Sequence, residues 1–188
     1  MLEALLRRPL DGLLAPAAAW LHARKVRSLA LTVCAFLCNA VAMLDIGHRN
    51  YLLGLGLLAI AGLFDLLDGP VARAEGQTPF GAYLDLVLSL TAAAGIAFAF
   101  ALAAPDRALA AMFLMLGLVA RTAAESGARS AMSVPVAVAT GLVGKCELFV
   151  TFALACLFPD WFSIAAYLVG ILCFVSAGSR VAVAAQRT

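Results

Sequence analysis

Three carboxylates stand where carboxylates are expensive. Asp65 and Asp68 close one long apolar run, and Asp85 lies early in the next. An acid at membrane depth costs on the order of a few kcal/mol even on lenient scales, and such acids usually mark a functional site. Asp65 and Asp68 are three residues apart, a spacing that puts them on one face of a helix. Hard oxygen donors converging from two helices suit Mg²⁺ or Mn²⁺, which keep substrate phosphate oxygens in their coordination shell. Gly69 and Ala72 leave space beside the acids, and Arg73 adds a cation that can meet a phosphate. From residue types alone the cluster reads as a metal–diphosphate site at a membrane surface. The alternative is that the acids pair with Arg73, Arg121 or Lys145 and simply tie helices together.

The elements that must position these residues are membrane spans. The chain has 188 residues, of which 64% are hydrophobic and 13% charged, and its mean hydropathy is +1.02. A soluble domain carries roughly 25% charged residues, so lipid is the expected solvent. At about 20 apolar residues per span, the sequence predicts an all-α integral membrane protein with six transmembrane helices, over about 28–45, 50–68, 80–104, 107–127, 139–158 and 161–183. Residues 1–27 form a separate juxtamembrane segment. Within it, Leu2, Leu5, Leu6, Leu10, Leu13, Leu14, Ala17 and Leu21 recur at helical spacing, which predicts an interfacial amphipathic helix. Residues 28–188 make up the bundle. The five cysteines lie in apolar stretches without metal-ligand spacing and read as packing residues. A net charge of +2 gives no reason to expect nucleic acid.

Charge orients the bundle. With an even number of spans, one side holds Arg7, Arg8, Arg24, Lys25, Arg27, Arg73, Arg121, Arg129, Lys145, Arg180 and Arg187, and the other only Arg49 and Arg107. That imbalance places both termini, and the acids, on the cytoplasmic side. Clustering at one face rather than the midplane argues against a transporter.

The run Asp65-Leu-Leu-Asp68-Gly69-Pro-Val-Ala72-Arg73, followed by Gly81-Ala-Tyr-Leu-Asp85, closely resembles the signature of the CDP-alcohol phosphotransferase (CDP-alcohol phosphatidyltransferase) family. The resemblance extends to the six spans, the N-terminal helix and the segment Val119-Ala-Arg121-Thr-Ala-Ala-Glu125. It implies transfer of a substituted phosphate from a CDP-linked donor, such as CDP-diacylglycerol, to an alcohol acceptor, with release of CMP, in phospholipid biosynthesis. It further implies two divalent metals (Mg²⁺ or Mn²⁺) on Asp65, Asp68 and Asp85, and a nucleotide site shaped by Asp65, Gly69, Ala72, Arg73 and Gly81. Arg121 and Lys145 are the candidates to hold phosphate on the acceptor. A homodimer in a bacterial-type inner membrane follows from the same resemblance. The sequence departs from the family pattern twice. Seven residues separate Arg73 from Gly81, one fewer than usual, and Ser89 stands where the pattern has a fourth aspartate. By resemblance position 89 carries a metal ligand and the catalytic base, and a serine hydroxyl is a poor base near neutral pH. A catalytically silent relative that binds nucleotide, lipid or a partner subunit is therefore the second reading.

The topology is testable in a background lacking the five native cysteines. His48→Cys and Asp106→Cys should react with a membrane-impermeant thiol reagent added outside, and Gly76→Cys only after permeabilisation. The reverse pattern would invert the bundle.

Overall fold

The computed structural model describes residues 26–76, 78–131 and 143–185, together with some of 16–24. From Ser28 onward the described residues form, in order, the α-helices α1 Ser28–Gly47, α2 Tyr51–Glu75, α3 Pro79–Ala103, α4 Ala108–Ala131, α5 Lys145–Leu157 and α6 Phe162–Ala185, with single 3-10 turns at Pro105–Arg107 and Pro159–Trp161. No strand occurs among the described residues. Five segments are long and apolar enough to cross a membrane: Ser28–Gly47, Tyr51–Glu75, Pro79–Ala103, Pro105–Gly127 and Pro159–Val183. α5 has 13 residues, about 20 Å of helix, and alone falls short of a hydrocarbon core of about 30 Å. The expected span 139–158 begins in residues outside those described, as does most of the expected N-terminal amphipathic helix.

The helix termini follow local chemistry. At the α1–α2 turn, Arg49 takes a left-handed backbone with φ 66°, uncommon for a side chain that is not glycine. The turn is closed by Asn50 N–H donating to Asp45 O at 2.8 Å, and Arg49 Nε donates to Ala103 O at the end of α3, also at 2.8 Å. α3 opens with Thr78 as N-cap and Pro79 in the first turn; the Thr78 hydroxyl accepts from Gly81 N–H at 3.1 Å. One expected boundary is corrected: α2 does not end at Asp68 but continues through Pro70 to Glu75. Proline has helical φ and removes a single N–H, a loss that membrane helices tolerate when neighbouring groups satisfy the freed carbonyl. The fourth apolar span ends at Gly127 as expected, and the helix α4 itself runs on to Ala131.

Neighbouring helices form a ring in the order α1, α3, α4, α6, α5, α2 and back to α1. Its interior is built largely from small residues: Ala42, Ala93, Ala97, Ala99, Ala110, Ala111, Ala155 and Ala166 all lie in one core cluster. Lipid supplies no hydrophobic drive between helices, so close backbone approach and van der Waals contact must do the packing. Large apolar side chains point outward instead, Leu52, Leu109 and Trp161 among the most exposed. At the end remote from the acids, Phe100 stacks on Tyr51 and on Phe162 at centroid distances of 5.9 and 4.4 Å. There Arg107, buried, donates to Tyr51 Oη and Asp160 Oδ1.

The closest helix crossing joins α4 and α6. A Cβ on Gly117 would lie 3.0 Å from the carbonyl oxygen of Gly170, a backbone atom that cannot swing aside. Gly117→Ala should therefore cost about 1–3 kcal/mol, read as a lowered Tm in detergent. Gly56→Ala, with nothing within 4 Å of the new methyl, should be neutral or slightly stabilising. Equal Tm values for the two variants would refute this packing.

Candidate functional site

The continuation of α2 through Pro70 places Asp65, Asp68, Gly69 and Ala72 at i, i+3, i+4 and i+7 of one helix, which is a single face. On α3, Gly81, Asp85 and Ser89 recur every four residues, also one face. A cleft at this end of the bundle is lined by Asp65 from α2, Asp85 and Ser89 from α3, and Thr32 and Asn39 from α1. The expected meeting of acids from two helices is thus present. The α1 contribution was not anticipated, because Thr32 and Asn39 carry no charge that would single them out in an apolar run.

Asp68 and Asp85 have different partners. Asp68 is buried, and its Oδ2 accepts from the Thr32 hydroxyl at 2.8 Å. Asp85 Oδ1 lies 2.6 Å from Lys145 Nζ, with both side chains partly exposed. This pair links α3 to α5, helices that are not neighbours in the ring. Ser89 does not reach toward the other acids: its hydroxyl donates to the backbone carbonyl of Asp85, one turn earlier in its own helix. At the rim, Glu75 Oε2 accepts from Ser28 N–H at 3.1 Å, so the end of α2 caps the start of α1, where Arg27 offers no side-chain cap.

The glycines of the motif differ in local meaning. Around Gly69 only Arg73 Nη1 comes within 4 Å of a would-be Cβ, at 3.8 Å, so the backbone there is open to approach by a ligand. A Cβ at Gly81 would sit 3.0 Å from Thr78 Oγ1, so this glycine also serves the cap of α3.

A second cluster lies between α4 and α6. Glu125 Oε2 accepts from Arg180 Nη1 at 2.7 Å and lies 4.0 Å from Arg121 Nη2. Both arginine side chains are largely buried, and the Nε atoms of Arg121 and Arg180 have no hydrogen-bond partner among the described residues. Glu125 thus bridges two arginines from different helices. Arg180, a buried cation on an otherwise apolar helix, was counted in the sequence only among the orienting charges. Lys145, grouped with Arg121 in the sequence reading, instead ion-pairs with the acid cluster through Asp85.

The donors in the cleft are hard oxygens of the kind Mg²⁺ and Mn²⁺ take. Among the described residues, no three ligating side chains stand close enough to cage a metal without other donors. Three carboxylates beside one ammonium leave two negative charges, which match one dication rather than two.

Comparison with known proteins agrees with the motif. A family model described as CDP-alcohol phosphatidyltransferase matches residues 26–178. The chain is 30% identical to the inner membrane protein YnjF of Escherichia coli strain K12, over 80% of this chain and 79% of that protein. It is 29% identical to the archaetidylinositol phosphate synthase of Pyrococcus horikoshii, over 84% and 82% of the two chains. Its fold is similar to that of the phosphatidylinositol phosphate synthase of Mycobacterium tuberculosis, solved with CDP-DAG bound, with a TM-score of 0.74, 18% identity, and coverage of 89% of this chain and 91% of that one.

The Glu125–Arg180 pair should hold α4 to α6. Removing one partner of a buried ion pair costs about 3–5 kcal/mol, so Glu125→Gln should lower Tm by roughly 5 °C or more in detergent. Glu125→Leu combined with Arg180→Met should recover part of the loss. An unchanged Tm in Glu125→Gln would show that the pair holds nothing.

Proposed function

We propose that this chain, which belongs to the CDP-alcohol phosphatidyltransferase family, transfers a substituted phosphate from a CDP-linked lipid donor to an alcohol acceptor and releases CMP. The observation that carries this reading is the pair of facing helix stripes, Asp65, Asp68, Gly69 and Ala72 on α2 against Gly81, Asp85 and Ser89 on α3. Of these, Asp65, Asp85 and Ser89 line one small cleft at one end of an apolar bundle, which supports reading the rest of the two stripes as its continuation. The acid end is read as cytoplasmic from the bias in Lys and Arg, which gives a water-soluble acceptor and the departing CMP direct access to the site.

In the reaction, the acceptor oxygen forms a bond to the donor's lipid-linked phosphorus. The bond from that phosphorus to the bridging oxygen breaks, and the bridging oxygen leaves with CMP. This chain's residues act mainly by positioning. Gly69 lets the nucleotide approach the helix backbone, Ala72 and Gly81 keep bulk away, and Arg73 offers a guanidinium to a phosphate. Mg²⁺ or Mn²⁺ held by the aspartates would neutralise the diphosphate and favour departure of CMP. Arg121 and Arg180, each with an Nε not hydrogen-bonded among the described residues, suit a phosphate on the acceptor. The archaetidylinositol phosphate synthase relative makes a phosphorylated polyol the first acceptor to try. The acceptor's own phosphate, or Asp85 one turn from Ser89, takes the hydroxyl proton in place of the fourth aspartate. A second reading, a binding protein without turnover, is favoured by one observation: the Ser89 hydroxyl is spent on its own helix.

The test is CMP release from CDP-diacylglycerol by purified protein with Mn²⁺ and a panel including inositol phosphate and glycerol phosphate. Release is expected with a phosphorylated acceptor and should fall by about 100-fold or more in Asp65→Asn/Asp68→Asn/Asp85→Asn, which loses the charges that organise the phosphates. The same triple variant should lose thermal stabilisation by Mn²⁺ plus a CDP compound. Donor binding with no CMP release across the panel would establish the silent relative.

A further inference from the structure

The two-metal expectation and the charges actually gathered at the site disagree. Asp65, Asp68 and Asp85 supply three negative charges, position 89 supplies none, and Lys145 brings a positive charge into the same cleft. At 2.6 Å its Nζ makes a short charge-assisted hydrogen bond to Asp85 Oδ1. Before any diphosphate binds, two dications added to this set would leave a net charge of about plus two near the lipid, where unbalanced charge is costly. One dication leaves it neutral. The placement of the lysine supports the same conclusion. Lys145 is the first residue of α5, the helix end at which the backbone dipole disfavours a cation. Its own helix therefore does not explain the charge there. The carboxylate across the cleft does, and the local helix terminus is satisfied separately by Glu147 Oε2, which accepts from Gly144 N–H at 2.9 Å.

We propose that Lys145 is this chain's built-in second cation: its ammonium takes the place on Asp85 of one of the two divalent ions implied for the family, and the site takes a single divalent ion on the Asp65–Asp68 side. This rests on the reading that the cleft binds a diphosphate with divalent metal. Ser89 and Lys145 then act on the same charge balance. Loss of a carboxylate at 89 removes the charge that a second dication needs, and the lysine supplies one fixed positive charge to what remains. A lysine ammonium is a point charge with three donors, so it keeps the ability to meet a phosphate oxygen while remaining bonded to Asp85.

The measurement is the number of Mn²⁺ ions bound per chain, counted by calorimetry and by the spin-resonance signal of free Mn²⁺, in detergent with Mn²⁺ as the only ligand. The wild type should bind one ion. Ser89→Asp/Lys145→Met restores four carboxylates without the ammonium and should bind two. Lys145→Met alone should tighten the single site by roughly tenfold, as loss of a nearby positive charge requires; this variant keeps the test open if the double variant does not fold. Two ions in the wild type, with Lys145→Met unchanged, would overturn the proposal while leaving the diphosphate reading intact. One ion in a folded double variant would also overturn it. No Mn²⁺ bound by the wild type, together with no CMP release in the transfer assay, would remove the reading on which it rests.

Discussion

A carboxylate set into the end of an apolar helix must find a proton donor or a cation nearby, because lipid offers neither. In this bundle Asp68, Asp85 and Glu125 find partners on other helices. Asp68 on α2 takes the Thr32 hydroxyl of α1, Asp85 on α3 takes Lys145 of α5, and Glu125 on α4 takes Arg180 of α6. These three contacts engage all six helices at one end of the molecule. The polar residues that make the end chemically interesting are thus also what fixes the relative positions of the helices that carry them.

The rest of the bundle is assembled by a different interaction. Away from the acids the interior is rich in alanine, with leucine, isoleucine and phenylalanine between, and α4 and α6 meet by close backbone approach at Gly117 and Gly170. Such packing is specific about distance and indifferent to charge. It gives a stiff frame in the middle and at the aromatic end, where Phe100 stacks between Tyr51 and Phe162. The polar end can then present an open cleft without loosening the fold, since the frame does not depend on the cleft being filled.

Much of this was legible in the sequence, for identifiable reasons. Length and hydropathy give the long helices because lipid leaves the backbone few alternatives, and the expected starts and ends of α1 and α3 fall within about two residues of those observed. The meeting of Asp65 and Asp85 was legible because charge stands out against an apolar background. What stayed hidden lacked that contrast. Thr32 and Asn39 look like ordinary polar insertions until α1 packs against α2 and α3. The tie between Glu125 and Arg180 spans 55 residues, a distance at which local spacing says nothing. Lys145 was legible both as a phosphate ligand beside Arg121 and as a partner of the acids, and its pairing with Asp85 matches the second. The expected span 139–158 begins in residues outside those described, so α5 is seen only from Lys145 onward.

Pro70 shows how a misread boundary conceals a mechanism. Taken as a helix stop, it would leave Asp65 and Asp68 on a helix and Gly69, Ala72 and Arg73 on a loop, two groups with no fixed relation. Because α2 continues, the spacing of the motif becomes the spacing of a helix face: acids, then an open glycine, then a small residue one turn on, then a guanidinium beside it. α3 carries its own face at intervals of four from Gly81. A sequence motif that spans a turn is therefore two rigid stripes looking across one cleft. Ser89 sits on the second stripe at the position where a carboxylate would complete the set, yet its hydroxyl turns back to Asp85 O. The cation that Asp85 does hold comes from α5, on the far side of the ring. Position 89 and position 145 belong to different helices and are joined only through Asp85. Any account of what this site binds must treat those two residues together.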